Sequence, residues 1–250
     1  METVYIECYS GISGDMTVGA LLDLGADRDV LLNGLKSMNI KGFKINISKV
    51  KKNNLEACDF DVVLEDEEES EDYFKVNRNY YDVCKIIDKS VISENAKNIS
   101  KKIFKIKAQT ESKIHNVPFE TFNFHESGAV DSLVDIVGTA ICLDNLKISQ
   151  VIVSEINDGH GFIKCRKGMI PVPVPAVAHI ADKYGLKVIS TSIEGEMVTP
   201  TGVAIVAAIR TGEKLPKNYK IKKIGLGIGK RIYECEGVLR ICLIELNNCY

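Results

Sequence analysis

Apolar positions along the chain follow two spacings, and the switches between them outline the elements. TVYIECYS (Thr3–Ser10) reads as a first strand and runs straight into GISGDMTVGALLDLGA. There Met16, Ala20, Leu21 and Leu24 share one helical face, and Gly25 is a natural stop. A short helix is predicted from about Asp29 to Met38. FKINISKV and ACDFDVVLE alternate as strands joined by a turn around Lys52–Asn54. YYDVCKIIDKS and ISENAKNISKKIFKIKAQTESKIH then read as helices. In the second, Ile99, Ile103, Ile106 and Ile114 lie near helical spacing and Ser93 suits the N-cap. Another helix is predicted from about Ala129 to Leu146. The last third is richer in strands: SQVIVSEI, LKVIST, YKIKKIGLGIG and GVLRICLIEL. A proline segment, MIPVPVPAVAHIADKY, leads from extended chain into a helix, and TPTGVAIVAAIRTG forms a further helix.

Strands and helices alternate throughout, which predicts an α/β protein with a mixed sheet and flanking helices. The run EDEEESED (Glu65–Asp72) interrupts the pattern; so dense a like charge favours a solvated linker. The expected organisation is one main domain with an acidic linker segment. An N-terminal α/β segment covers 1–64, the linker 65–78, and a helical and mixed-sheet region over 79–250 packs back on the first segment.

Composition narrows the function. A net charge of −2 gives no electrostatic case for nucleic acid. No stretch reaches the ~18 uninterrupted apolar residues of a membrane span, and the N-terminus lacks the pattern of a signal peptide. The eight cysteines are scattered with no C-x-x-C pair, so they read as reduced packing thiols of a cytoplasmic protein rather than a disulfide framework.

The segment FHESGAVDSLVDIVG (Phe124–Gly138) sets His125, Glu126, Asp131 and Asp135 among valines, leucine and isoleucine. Asp131 and Asp135 are four apart and share a helix face. Carboxylates in apolar surroundings are normally paired or bound to a cation. A helix start capped by Ser127 explains Glu126, but not Asp135 a turn deeper. One imidazole with two or three carboxylates suits a divalent metal of intermediate hardness, or acid–base chemistry. His125, Glu126, Asp131 and Asp135 are therefore the candidate catalytic residues.

Two helix starts suit anions. In YSGISGDM, Ser13 and Gly14 open a helix whose free N–H groups and dipole favour negative charge, while Asp15 fits a metal or an orienting role. In VTPTGVA, Thr199 can cap, Pro200 sits at the first helical position, and Thr201 and Gly202 complete an open turn. Each is also explained as a well-made helix start. GLGIGKR (Gly225–Arg231) precedes a strand, not a helix, so it is no dinucleotide fingerprint. It reads as a Gly-rich turn or bulge, with Arg231 able to meet a phosphate or carboxylate. His160, in the loop NDGHGF, is a weaker candidate; His115 and His179 fit surface or packing positions.

Taken in order, SGISGDM (Ser10–Met16), FNFHESGAVDSLVDIVG (Phe122–Gly138), GMIPVPVPA (Gly168–Ala176), EMVTPTGVA (Glu196–Ala204), GLGIGKR and VLR (Val238–Arg240) resemble the LarC nickel-insertion proteins over nearly the whole chain. The resemblance implies maturation of the nickel-pincer cofactor of lactate racemase. In that reaction nickel is inserted into a pyridinium bis-thiocarboxylic acid mononucleotide through nickel–sulfur and nickel–carbon bonds, with consumption of CTP: a cyclometallase, of the lyase class. The residue reading agrees in kind: His125, Asp131, Asp135 and Asp15 are the metal candidates for nickel, and Ser13, Gly14, Thr199, Thr201, Gly202 and Arg231 the candidates for the mononucleotide.

The chain departs from the family where EDEEESED replaces a His-rich stretch, where Asn123 and Lys167 stand for histidines, and where Glu7 stands for an opening aspartate. The resemblance covers the family's N-terminal portion. CTP, with Mg or Mn, is thus expected on a C-terminal domain, in a separate chain if not in this one, and a homo-oligomer is left open. Two other functions stay beside this one: a nickel-binding or storage protein without catalysis, and a phosphate-handling enzyme unrelated to nickel.

Overall fold

The structure, a computed structural model, describes residues 2–52, 55–64, 78–124, 127–165, 168–212, 214–231 and 237–246. The acidic run and the candidates His125 and Glu126 lie outside the described residues. The fold is α/β, as the pattern predicts.

Six strands form a mixed sheet in the order β2-β3-β11-β12-β1-β6. These are β1 (Glu2–Glu7), β2 (Phe43–Lys52), β3 (Leu55–Leu64), β6 (Ile148–Val153), β11 (Tyr219–Ile228) and β12 (Val238–Leu246). β1 pairs antiparallel with β12 and parallel with β6, so strands distant in sequence meet at the centre. Short two-residue strands, β4 (Arg78–Asn79) and β5 (Asn123–Phe124), pair outside this sheet, as do the hairpin strands β8 (Phe162–Cys165) and β9 (Gly168–Pro171). The helices are α1 (Gly14–Leu24), α2 (Arg28–Ser37), α3 (Tyr80–Lys89), α4 (Glu94–Ile114), α5 (Ser127–Asn145), α6 (Pro175–Lys183) and α7 (Pro200–Ile209). α1 lies across β3, β11 and β12; α5 packs on α1, α2 and α4, and α4 on α6 and α7.

Local sequence accounts for most boundaries. Ser93 caps α4 by accepting from Ala96 N at 3.1 Å, as its position predicts. Asn79 and Asp82 form a capping box for α3. Gly25 ends α1 at φ 120°. The six described cysteines are free thiols.

Two readings need correction. SQVIVSEI is not one strand. Ser154 N donates to Ile6 O at 3.0 Å, and Ser154 Oγ accepts from Cys8 N at 2.8 Å. This fastens the chain at the end of β1. The polypeptide then leaves the sheet as β7 (Ile156–His160), paired parallel with β10 (Val188–Glu194). The bulge allowed within GLGIGKR is not there either: Gly225 to Ile228 continue β11, as the reading of YKIKKIGLGIG as a strand expects, and the chain leaves the strand at Gly229. The bulge lies earlier, between Ile221 and Lys223. The glycines are there for contact: a Cβ on Gly227 would fall 1.9 Å from Met16 O, and one on Gly225 2.2 Å from Ala20 O. α1 therefore rests on the backbone of β11 without intervening side chains.

Gly227→Ala should destabilise the protein by about 2 kcal/mol or more, since the obstacle is backbone and cannot rotate away. Urea unfolding checks this; an unchanged midpoint would show that α1 does not depend on this approach.

Candidate active site

A cleft of about 330 Å³ opens where the N-termini of α1 and α7 meet the middle of α5 and the chain around Gly229–Arg231. Its position follows from the fastening of the two helix starts. Ile12 N donates to Met197 O and Thr199 N to Ile12 O, both at 3.0 Å. Gly202 permits this: a Cβ there would lie 2.3 Å from Ile12 O. Below them, fully buried Asp158 accepts from the backbone N–H groups of Gly159, Met197 and Val198 at 2.8, 2.9 and 3.0 Å, and so fixes the chain entering α7.

Asp15, Asp131 and Asp135 all line the cleft. Asp135 is only 5% exposed, and among the described residues its Oδ1 has no hydrogen-bond partner. It presses on the first turn of α1, where a Cβ on Gly14 would sit 2.4 Å from Asp135 Oδ2. Burial, then the charge of Asp131, then that of Asp15 push its carboxyl well above the usual aspartate range. Asp131 is raised as well, by burial first and Asp15 next, against the pull of Lys230 and Lys107. Asp15 Oδ1 accepts from Ser13 Oγ and from Met16 N, the latter at 2.9 Å. Ser13 thus occupies the N-cap of α1 but spends its hydroxyl on Asp15 rather than on the helix. The result is an acidic group with one buried oxygen unpartnered, beside the positive end of a helix.

Ser13, Gly14, Thr199, Thr201 and Arg231 border the same cleft; Gly202 does not. Thr199 Oγ1 caps α7 by accepting from Gly202 N at 3.1 Å. Arg231 crosses the rim to buried Glu196, donating to its backbone O at 2.8 Å and pairing with its carboxylate at 2.7 Å. His160 is exposed and is not among the cleft-lining residues. His115 pairs with Glu111 at 3.5 Å. Among the described residues, no three His, Cys, Asp or Glu side chains converge as a ready-made metal site.

Several residues of the cleft and its surround went unread in the sequence: Lys107, Ser132, Asp158, Glu196 and Lys230. Lys230 pairs with Asp61. Lys107 donates to Ser132 Oγ at 2.6 Å and to Thr201 Oγ1 at 3.0 Å. A signal for Lys107 existed: it lies four residues after buried Ile103 and three before buried Thr110, on the inward stripe of α4.

The arrangement defines a class: an α/β protein whose cleft sets strained carboxylates beside two helix N-termini, fit to handle a cation together with an anionic ligand. The comparisons specify it further. The family model described as Nickel insertion protein matches residues 4–249. A pyridinium-3,5-bisthiocarboxylic acid mononucleotide nickel insertion protein of Alkaliphilus metalliredigens is 50% identical, over 99% of this chain and 61% of its own length. Proteins of the same description from Acetivibrio thermocellus and Geobacillus kaustophilus are 41% and 40% identical, over 92% and 98% of the chain and 57% and 60% of theirs. No solved structure matches. The chain belongs to the nickel insertion protein family, and it spans about three fifths of the length of these relatives. No described helix is long and apolar enough to cross a membrane, which leaves β-barrels unaddressed.

The raised carboxyls have a thermodynamic consequence. The folded state keeps protons on Asp135 and Asp131 to higher pH than the unfolded chain does, so stability falls as pH rises from the ordinary aspartate range through the raised values. Asp135→Asn should raise the melting temperature at pH 7 by about 3 °C, with the gain fading toward about pH 4, where aspartate is itself neutral. Melting curves at the two pH values check this; equal gains at both would contradict it.

Proposed function

We propose that this cleft receives nickel and a pyridinium-3,5-bisthiocarboxylic acid mononucleotide and joins them into the nickel-pincer cofactor. The observation that carries the reading is Asp135, buried beside Asp131 with one oxygen unpartnered. A divalent cation relieves both the missing partner and the like-charge repulsion. An incomplete protein ligand set suits insertion, because the remaining positions must go to the substrate's sulfur atoms. In this reading Asp131, Asp135 and Asp15 supply oxygen donors, and His125 and Glu126 are assigned to the same site from the adjoining segment.

Nickel enters as substrate, and its bond to carbon replaces a C–H bond. The carbon–hydrogen electron pair goes to nickel, the proton must be taken up, and nickel keeps its oxidation state. A carboxylate whose basicity burial has increased is a suitable acceptor, which gives Asp135 or Asp131 the role of general base. The mononucleotide's phosphate is assigned to the start of α7. The Gly202 amide is used by the Thr199 cap, so the Thr201 hydroxyl carries the contact; Gly202 acts through the shape of the turn. Ser13 and Gly14 are assigned to a thiocarboxylate arm, and Arg231 to the rim. CTP, with Mg²⁺ or Mn²⁺, is assigned to the length of the relatives beyond this chain, because the sequence carries no Walker-type loop.

Mixing the chain with Ni²⁺, CTP, the bis-thiocarboxylate mononucleotide and the remaining portion of a relative should give a nickel-bearing product by mass spectrometry. Asp135→Asn should abolish that product and weaken Ni²⁺ binding at least tenfold, roughly the effect of one lost charged ligand. Nickel binding without product favours a holding protein, and product from Asp135→Asn at the wild-type rate overturns the reading. Thr201→Val should weaken mononucleotide binding by about 1 kcal/mol or more, measured by calorimetry. If affinity is untouched in the folded variant, Thr201 only starts the helix.

A further inference from the structure

We infer that Lys107 is an internal counter-cation of the cleft, which occupies part of the carboxylates' electrostatic demand and holds nickel affinity low enough for the ion to be passed on. The inference rests on the reading that the cleft takes up a cation. Lys107 turns its ammonium inward from α4 to Ser132 Oγ at 2.6 Å and Thr201 Oγ1 at 3.0 Å, and these hydroxyls are 3.2 Å apart. Ser132 follows Asp131 in α5, and Thr201 itself lines the cleft. The ammonium is therefore one hydrogen bond from the cavity.

Both hydroxyls are neutral, and an ammonium only donates. Among the described residues, no carboxylate makes an ion pair with Lys107. Its charge is instead balanced at longer range by Glu111, Asp131 and Asp135, which work against the lowering of its pKa by burial. The other two cations at the cleft have near partners, Lys230 with Asp61 and Arg231 with Glu196. Among the described residues, Lys107 is thus the cleft cation left to act on Asp131 and Asp135, and on Glu111 one turn along its own helix.

A role in packing alone does not call for this charge. The inward stripe of α4 is otherwise apolar or hydroxyl-bearing, and enclosing an ammonium between two neutral hydroxyls costs solvation that they only partly return. A fixed positive charge behind the carboxylates has one clear effect on an incoming cation: it repels it.

Calorimetric titration of Ni²⁺ into the wild type, Lys107→Met, Lys107→Gln and Ser132→Ala distinguishes the two roles. Removing the charge should tighten Ni²⁺ binding about tenfold or more in both Lys107 variants. Ser132→Ala, which removes a contact of the same trio but keeps the charge, should stay within about twofold of wild type. Loss of a merely structural lysine would instead leave affinity unchanged or weaken it. Using two substitutions guards against one that fails to fold, and circular dichroism confirms the fold of each.

In an Asp135→Asn background the wild type and both Lys107 variants should each bind Ni²⁺ at least about tenfold more weakly; undiminished affinity there would put the nickel elsewhere and overturn the inference. Equal affinities in wild type and both Lys107 variants overturn this inference alone and leave the cation reading standing. If nickel binds none of the proteins, both fall together. Binding by the Lys107 variants but not by wild type supports the inference in its strongest form.

Discussion

The structure depends on a helix lying directly on the backbone of a strand. Gly225 and Gly227 remove the side chains that would otherwise hold α1 away from β11. Strand β11 in turn joins the two halves of the sheet, pairing with β3 on one side and β12 on the other. Depth gained there sets how far the first turn of α1 reaches toward α5. Gly14 then meets the Asp135 carboxylate with no Cβ between them. Were α1 held off by even one methyl layer, the acidic pair would face water rather than the positive end of a helix.

The cleft is held from its other side by main-chain bonds. Ile12 and the Met197–Thr199 stretch bond to each other, so the starts of α1 and α7 move as one piece. Buried Asp158 secures that stretch through three N–H donors, while its second oxygen has no partner among the described residues. Polar groups buried at this density lower stability unless each is satisfied. Asp135, Asp158 and Glu196 bring buried carboxylates together around one cavity, a pattern characteristic of functional sites.

A site that passes a metal on has a different requirement from one that keeps it. Tight structural sites close the coordination sphere with protein ligands. Here the three aspartates of the cleft come from two helices, and a lysine stands behind them. In the proposed reading such a site would leave coordination positions for sulfur and would not hold its cation too firmly. That fits membership of a family whose relatives are named for inserting nickel rather than for storing it.

Much of this was legible in the sequence, and for identifiable reasons. Periodicity gave the helices and most sheet strands, because a half-buried element must present its apolar residues at its own repeat. Ser93, Thr199 and Pro200 marked helix starts through side-chain chemistry that acts over three residues. Asp131 and Asp135 stood out because carboxylates four apart in an apolar run have no ordinary use. What the sequence could not supply was contact between distant segments. The glycines of GLGIGKR left strand, turn and bulge all open, since nothing local says that α1 lies on them. SQVIVSEI looked like one strand, since the bonds that end it come from Ile6 and Cys8. Lys107 was passed over although it lay on a buried stripe, because its partners Ser132 and Thr201 are 25 and 94 residues away. Local sequence thus determined the elements and the acidic pair, through forces that act within a turn or two. Tertiary structure decided which groups surround that pair, because charge and close packing act through space between residues that the chain keeps far apart.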